Sequence, residues 1–222
     1  MSPVSPSPGD VRAEWLTIAG DPVAWRSIGL TVGDDGLIPL LGTSLRLVSA
    51  PHPDANDEGS GVVAWALSGL GETDAMSIDG LRTEPVERLE PVFASHPLGA
   101  SSLDHVVVLT PDLERTSAAI MESTGSDLRR IRELGQMRQG FHRMGARGSG
   151  ALIVELVERP DIPEGPAAFW GVVLIVDDLD AAYELIGPDR ISPPKDAVQP
   201  GRRIATVRAD VGLGLPVALM TP

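Results

Sequence analysis

Cysteine is absent from this 222-residue chain. That removes disulfide frameworks, thiolate metal sites and cysteine nucleophiles together. Aromatic residues are scarce at 4%, so a core must be built mainly from Val, Leu, Ile and Ala. No apolar run approaches the length of a membrane span, which excludes a helical anchor within the sequence as read. The N-terminal Met-Ser-Pro-Val-Ser-Pro-Ser-Pro-Gly-Asp has no basic region followed by an apolar one. It reads as a short disordered tail over residues 1–12 rather than a secretory signal, and the expected setting is the cytoplasm. Basic charge is also in deficit. Lys and Arg number 18 against 31 Asp and Glu, a net charge of −13. A surface this acidic repels phosphate backbones and excludes generic nucleic-acid binding.

Apolar residues make up 42% of the chain, enough for a substantial core, and charged residues 22%. The strongest local signal is Leu103–Leu113, Leu-Asp-His-Val-Val-Val-Leu-Thr-Pro-Asp-Leu. An aliphatic β-prone run stops at Thr-Pro-Asp, which marks a buried strand feeding a helix start. The pattern recurs at Phe169–Leu179, with a fainter echo at Ala13–Val23. Order of elements repeats with it. After Leu103–Leu113 come a helix ended by Gly125, a hairpin turned at Gly135, and a β-prone run Ala151–Val157 with Glu155 at its centre. After Phe169–Leu179 come a helix ended by Gly187-Pro188, a proline-rich edge, and strands at Arg203–Ala209 and Leu215–Met220. An internal repeat of this size indicates a modular architecture. Residues 13–50 and the strand Val62–Leu67 form a third, weaker unit. From Leu70 to Ala100 periodicity is lost, so the segment reads as a connector with a short helical turn at Ser77–Leu81.

Asp104-His105-Val106 with Asp112-Leu113, and Val176-Asp177-Asp178-Leu179-Asp180-Ala181-Ala182, resemble the vicinal oxygen chelate superfamily, the glyoxalase, bleomycin-resistance and extradiol-dioxygenase group. The resemblance implies an α+β fold of repeated βαβββ modules. These pair into a cupped mixed sheet with helices outside. The implied division is a tail at 1–12, a degenerate module plus connector at 13–100, and paired modules at 101–164 and 165–222. It also implies a small organic ligand in the cup, and a homodimer as one way of pairing modules. Each module of that superfamily offers two metal ligands, one in its first strand and one in its last. In this chain one module offers His105 and Glu155. Its repeat offers Gly171 and Ala218, and the N-terminal unit Trp15 and Arg46, none of which binds a metal as a ligand of this kind. Half of the ligand set is missing, and His142 is the only later histidine that could extend it.

Two readings of the pair follow. His105 and Glu155 can be mutual partners, since a lone carboxylate in an apolar run is costly to bury. Alternatively they can be a metal site or an acid–base site, with His105 as base. Arg202 and Arg203 are either ligand-binding forks or solvated charges, and Arg138, Gln139 and Arg143 on the hairpin strand share that ambiguity. Trp170 is either a wall of the cup or plain packing. The expectation is a glyoxalase-like small-molecule-binding protein with an incomplete metal site and no metal dependence. The alternative is a metal-dependent lyase, isomerase or dioxygenase using His105 and Glu155.

Overall fold

A computed structural model describes residues 11–55, 59–70, 75–145 and 150–222. Most of the tail read at 1–12, part of the polar loop at 51–61 and most of the Gly145–Gly150 turn lie outside the described residues. The chain is α+β, with two mixed sheets and three short α-helices among the described residues.

The first sheet has six strands: β1 (Arg12–Ala19), β2 (Leu37–Ile38), β3 (Ser44–Val48), β4 (Gly61–Ser68), β5 (Met76–Ile78) and β6 (Leu81–Val86). Their order is β2-β3-β1-β4-β6-β5. The second has eight: β7 (Ala100–Leu109), β8 (Arg130–Leu134), β9 (Met137–Met144), β10 (Leu152–Glu158), β11 (Ala168–Val176), β12 (Lys195–Asp196), β13 (Arg203–Thr206) and β14 (Val217–Met220). Their order is β12-β13-β14-β11-β7-β10-β9-β8.

Both sheets follow one plan. Two central strands run antiparallel, β7 with β11 and β1 with β4. Each centre strand is flanked by a parallel partner from its own module: β10 beside β7, β14 beside β11, β3 beside β1, β6 beside β4. In the second sheet both modules keep their helix. Those helices are α2 (Leu113–Thr124) and α3 (Leu179–Ile186). In the first sheet α1 (Pro22–Ser27) is the only α-helix among the described residues, and it is one and a half turns long.

Local chemistry sets the helix ends. Asp21, Asp112 and Asp178 each accept a backbone N–H of the first turn, the N-cap role expected of an aspartate there. Gly125 closes α2 in the left-handed conformation. The connector read at Leu70–Ala100 differs from expectation. Ser77–Leu81 is not helical but turns the β5–β6 hairpin through Asp79 and Gly80, both with positive φ. An Asp-Gly pair between apolar residues is a strong hairpin signal, and here it outweighs the surrounding loss of periodicity.

One apolar core joins the sheets, with Trp25 and Trp65 fully buried in it. Trp65 of β4 meets Phe169 of β11 edge to face, ring centroids 5.4 Å apart.

Candidate functional site

Alternation along the second sheet decides what faces the cup. On β7, Val106 and Val108 turn into the core, while His105, Val107 and Leu109 line a concavity of about 320 Å³. On β10, Val154 and Leu156 are core, and Glu155 and Val157 line the cup. Gln139 and Met137 reach it from β9, Ile204 and Thr206 from β13, and Ala218 from β14.

The polar end of the cup is a chain of five side chains. His105 Nε2 lies 3.2 Å from Glu155 Oε2. His105 Nδ1 lies 2.7 Å from Asp104 Oδ2. Arg202 donates from Nη1 to Asp104 Oδ1 at 3.0 Å, and Gln139 donates from Nε2 to Glu155 Oε1 at 2.6 Å. Asp104 follows Leu103 of the core face and precedes His105, so strict alternation sends it away from the imidazole. A β-bulge changes this. His105 pairs with Val173 and Leu103 with Leu174, which leaves Asp104 as the extra residue of β7 and brings its carboxylate to the histidine.

The two carboxylates are driven apart. Burial pushes Glu155 above the usual carboxylate range, and the nearby His105 only partly opposes this. Burial also acts upward on Asp104. There the bond and charge of His105, with Arg202, outweigh it and hold Asp104 below its ordinary value. Asp104 is therefore the ionised acceptor that takes the Nδ1 proton and fixes the ring. Between Nε2 and Glu155 a proton has two adjacent seats. Such a pair can take a proton from a molecule in the cup or return one.

Trp170 stands at a second bulge, between Phe169 paired with Val108 and Gly171 paired with Val107. Its side chain is 48% exposed and forms part of the cup wall. Gly171 leaves no extra room. A Cβ there would lie 2.7 Å from the carbonyl oxygen of Pro216, so close strand packing accounts for the glycine.

Four expected residues lie elsewhere. His142 shares the face of Gly140 and Met144, beneath α2. It is fully buried, with Nδ1 2.9 Å from the Ser126 carbonyl oxygen and Nε2 3.0 Å from Ser117 Oγ. Three residues separate it from Gln139, which puts the two on opposite faces, so it does not join His105. Burial lowers its pKa against the Ser126 bond, as for a structural imidazole. Arg138, on that same outer face, pairs with Glu114 and Glu158. Arg203 forks onto Asp180 at 2.7 and 3.0 Å, in the first turn of α3. Arg202 does not line the cup itself; it holds Asp104 and the Thr221 carbonyl from behind. Sequence reasoning missed Asp104 and Gln139 as members of the site. For Gln139 that holds only of its role on Glu155, since its strand reads as open between ligand binding and a solvated face; Asp104 carried no signal, because a bulge is a property of pairing.

No protein-family model matches the chain, and no curated protein sequence matches it. Solved structures do. A triple mutant of 4-hydroxymandelate synthase from Streptomyces coelicolor superposes with a TM-score of 0.64 at 13% identity, covering 97% of this chain and 92% of that one. The likeness shows the fold alone, an α+β arrangement of βαβββ-type modules in mixed sheets. Methylmalonyl-CoA epimerases from Streptomyces coelicolor, in complex with 2-nitronate-propionyl-CoA, and from Mycobacterium tuberculosis align over 55% and 56% of this chain. They cover 97% and 89% of their own, at 19% and 17% identity, each with a TM-score of 0.46. At such identities the likeness carries architecture and not chemistry.

The resemblance to the vicinal oxygen chelate superfamily implies a divalent ion in the cup, and the donors can be tested against one. His105 Nε2 and Glu155 are two. The repeat-related positions hold Gly171 and Ala218, and no cluster of three or more His, Cys, Asp or Glu suited to a metal ion occurs among the described residues. Resident divalent sites use three or four protein donors or a facial triad. Two do not fit one.

Proposed function

We propose that this chain is a glyoxalase-like small-molecule-binding protein whose cup takes an organic ligand without a resident metal. The observation that carries the reading is the combination within one cavity: apolar walls and Trp170 between a polar end, where both ring nitrogens of His105 already face carboxylates, and Arg159 just past β10. An organic molecule with few polar groups suits that lining, since such pockets are mostly apolar with few polar anchors. The cup is built from two modules of one chain, residues 101–164 and 165–222, with 13–100 as a separate N-terminal part. A homodimer is thus not needed to complete it. The acidic surface favours a small ligand over nucleic acid.

The test is metal stoichiometry. Purified full-length protein is stripped with a chelator, reconstituted with zinc, manganese or ferrous ion, desalted and analysed for metal. The expected content is well below one ion per chain. One ion per chain, lost in His105→Ala, overturns the reading and supports a metal-dependent lyase, isomerase or dioxygenase instead. One feature favours that second reading: Asp104 on Nδ1 is the outer partner that metal-bound imidazoles commonly keep.

A further inference from the structure

We propose that the cleft over Arg46 in the first sheet is a second binding site, taking a small organic carboxylate. This goes beyond the cup and does not depend on it.

The register fixes the place. In the second sheet His105 pairs with Ile153 and Val107 with Glu155. In the first, Trp15 pairs with Ser44 and Thr17 with Arg46. Trp15 thus stands where His105 does, and Arg46 where Glu155 does. The Arg46 guanidinium lies over the Trp15 ring, 4.2 Å from its centre. That stacking holds the fork flat and uses none of its N–H groups. Among the described residues no hydrogen bond or ion pair reaches the Arg46 side chain, and its Nε is shielded from water without a partner. Arg12 Nε, lining the same cleft, is also shielded and unpartnered. Its nearest carboxylate, Glu14, is 3.9 Å away and is engaged by Ser68 Oγ at 2.6 Å.

Two shielded donors in one cleft are an unmet demand for an acceptor, because buried polar groups are ordinarily paired. Charge selects the acceptor. Glu14 and Glu90 line the cleft beside the two arginines, so a monoanion is accommodated better than a dianionic phosphate. Size and lining select the rest. About 50 Å³ is available, with Leu89 and Val92 at the edge. A carboxylate with a tail of one or two carbons, four or five non-hydrogen atoms, fits that space, which takes roughly three to five waters. A planar fork meets a carboxylate bidentately.

Full-length protein is titrated with sodium acetate and sodium propionate at ionic strength held constant with sodium chloride. Tryptophan fluorescence and thermal midpoint are both followed. A saturable response is expected with Kd on the order of millimolar. Arg46→Gln should weaken it at least about tenfold, and Arg46→Lys, which keeps the charge but not the fork, by several-fold. Trp15→Phe should remove the optical signal while the thermal shift persists. No saturable response up to about 100 mM, a response unchanged in Arg46→Gln and Arg46→Lys, or an equal response to inorganic phosphate would each overturn the proposal.

Discussion

The first and second sheets put the same two positions to opposite uses. In the second, they hold His105 and Glu155 at the polar end of an open cup of about 320 Å³. In the first, they hold Trp15 and Arg46, stacked on each other, with only about 50 Å³ beside them. The topology is shared, so topology does not decide which sheet carries an open site. Side-chain size does. An indole fills the space that an imidazole leaves, and the central strands β1 and β4 are buried along nearly their whole length on both faces. The segment at 89–92 then covers that face, and among the described residues no such segment lines the cup. A sheet of this plan can therefore serve as a plugged structural half or as a cup, according to the residues at these two positions of its strands.

The comparison breaks most visibly at Trp15. Its side chain is 8% exposed, and truncating a buried tryptophan costs about 3–5 kcal/mol. Trp15→Ala should lose stability of that order in urea denaturation while leaving the geometry of the cup intact. A loss below about 1 kcal/mol would mean that the indole does not plug the first sheet.

A subtler contrast lies in pH. Burial raises the folded-state pKa of Glu155 above its ordinary 4.5. A carboxyl of this kind contributes stability that is fully present below 4.5 and is lost as pH rises through the folded value. Glu155→Gln is neutral throughout, so its stability relative to the parent should increase from pH 4.5 towards pH 8. Asp104 acts in the opposite sense. Its folded value is held down, so its contribution is present above 3.8 and lost only as pH falls through the lower folded value. His142, with a lowered value, loses its contribution as pH falls below 6.5, and this cancels between the two proteins. A flat difference between Glu155→Gln and parent across that range would remove Glu155 as a proton carrier.

The smallest effect is expected at Arg203. Its pair with Asp180 is largely exposed, and such pairs contribute about 0–1 kcal/mol. Arg203→Ala should change stability by no more than that and leave the environment of His105 unaltered by histidine NMR. A shifted His105 resonance would place Arg203 in the network that Arg202 serves.

Much of the fold was legible because its signals are local. Alternation, a Thr-Pro-Asp stop, capping aspartates and closing glycines are written into consecutive residues. Asp79-Gly80 was equally local, but it sat among prolines and acids that hid two short strands. The site was legible in part. His105 and Glu155 follow from the superfamily resemblance, and the repeat shows their counterparts missing, whereas the Arg202–Arg203 ambiguity does not resolve within the dipeptide. Adjacent residues on a strand point to opposite faces, so one arginine meets Asp104 and the other Asp180. Which does which depends on where β13 pairs.

By itself the sequence determined the repeated strand–helix–strands plan, the candidate pair His105 and Glu155, and the absence of their counterparts at Gly171 and Ala218. Only the tertiary structure decided that Asp104 reaches the imidazole, that His142 lies behind the sheet, and that Arg46 lies on Trp15. The physical reason is the same in all three. Side-chain parity along a strand is local, but bulges, register and the choice of concave face arise from pairing between segments far apart in the chain.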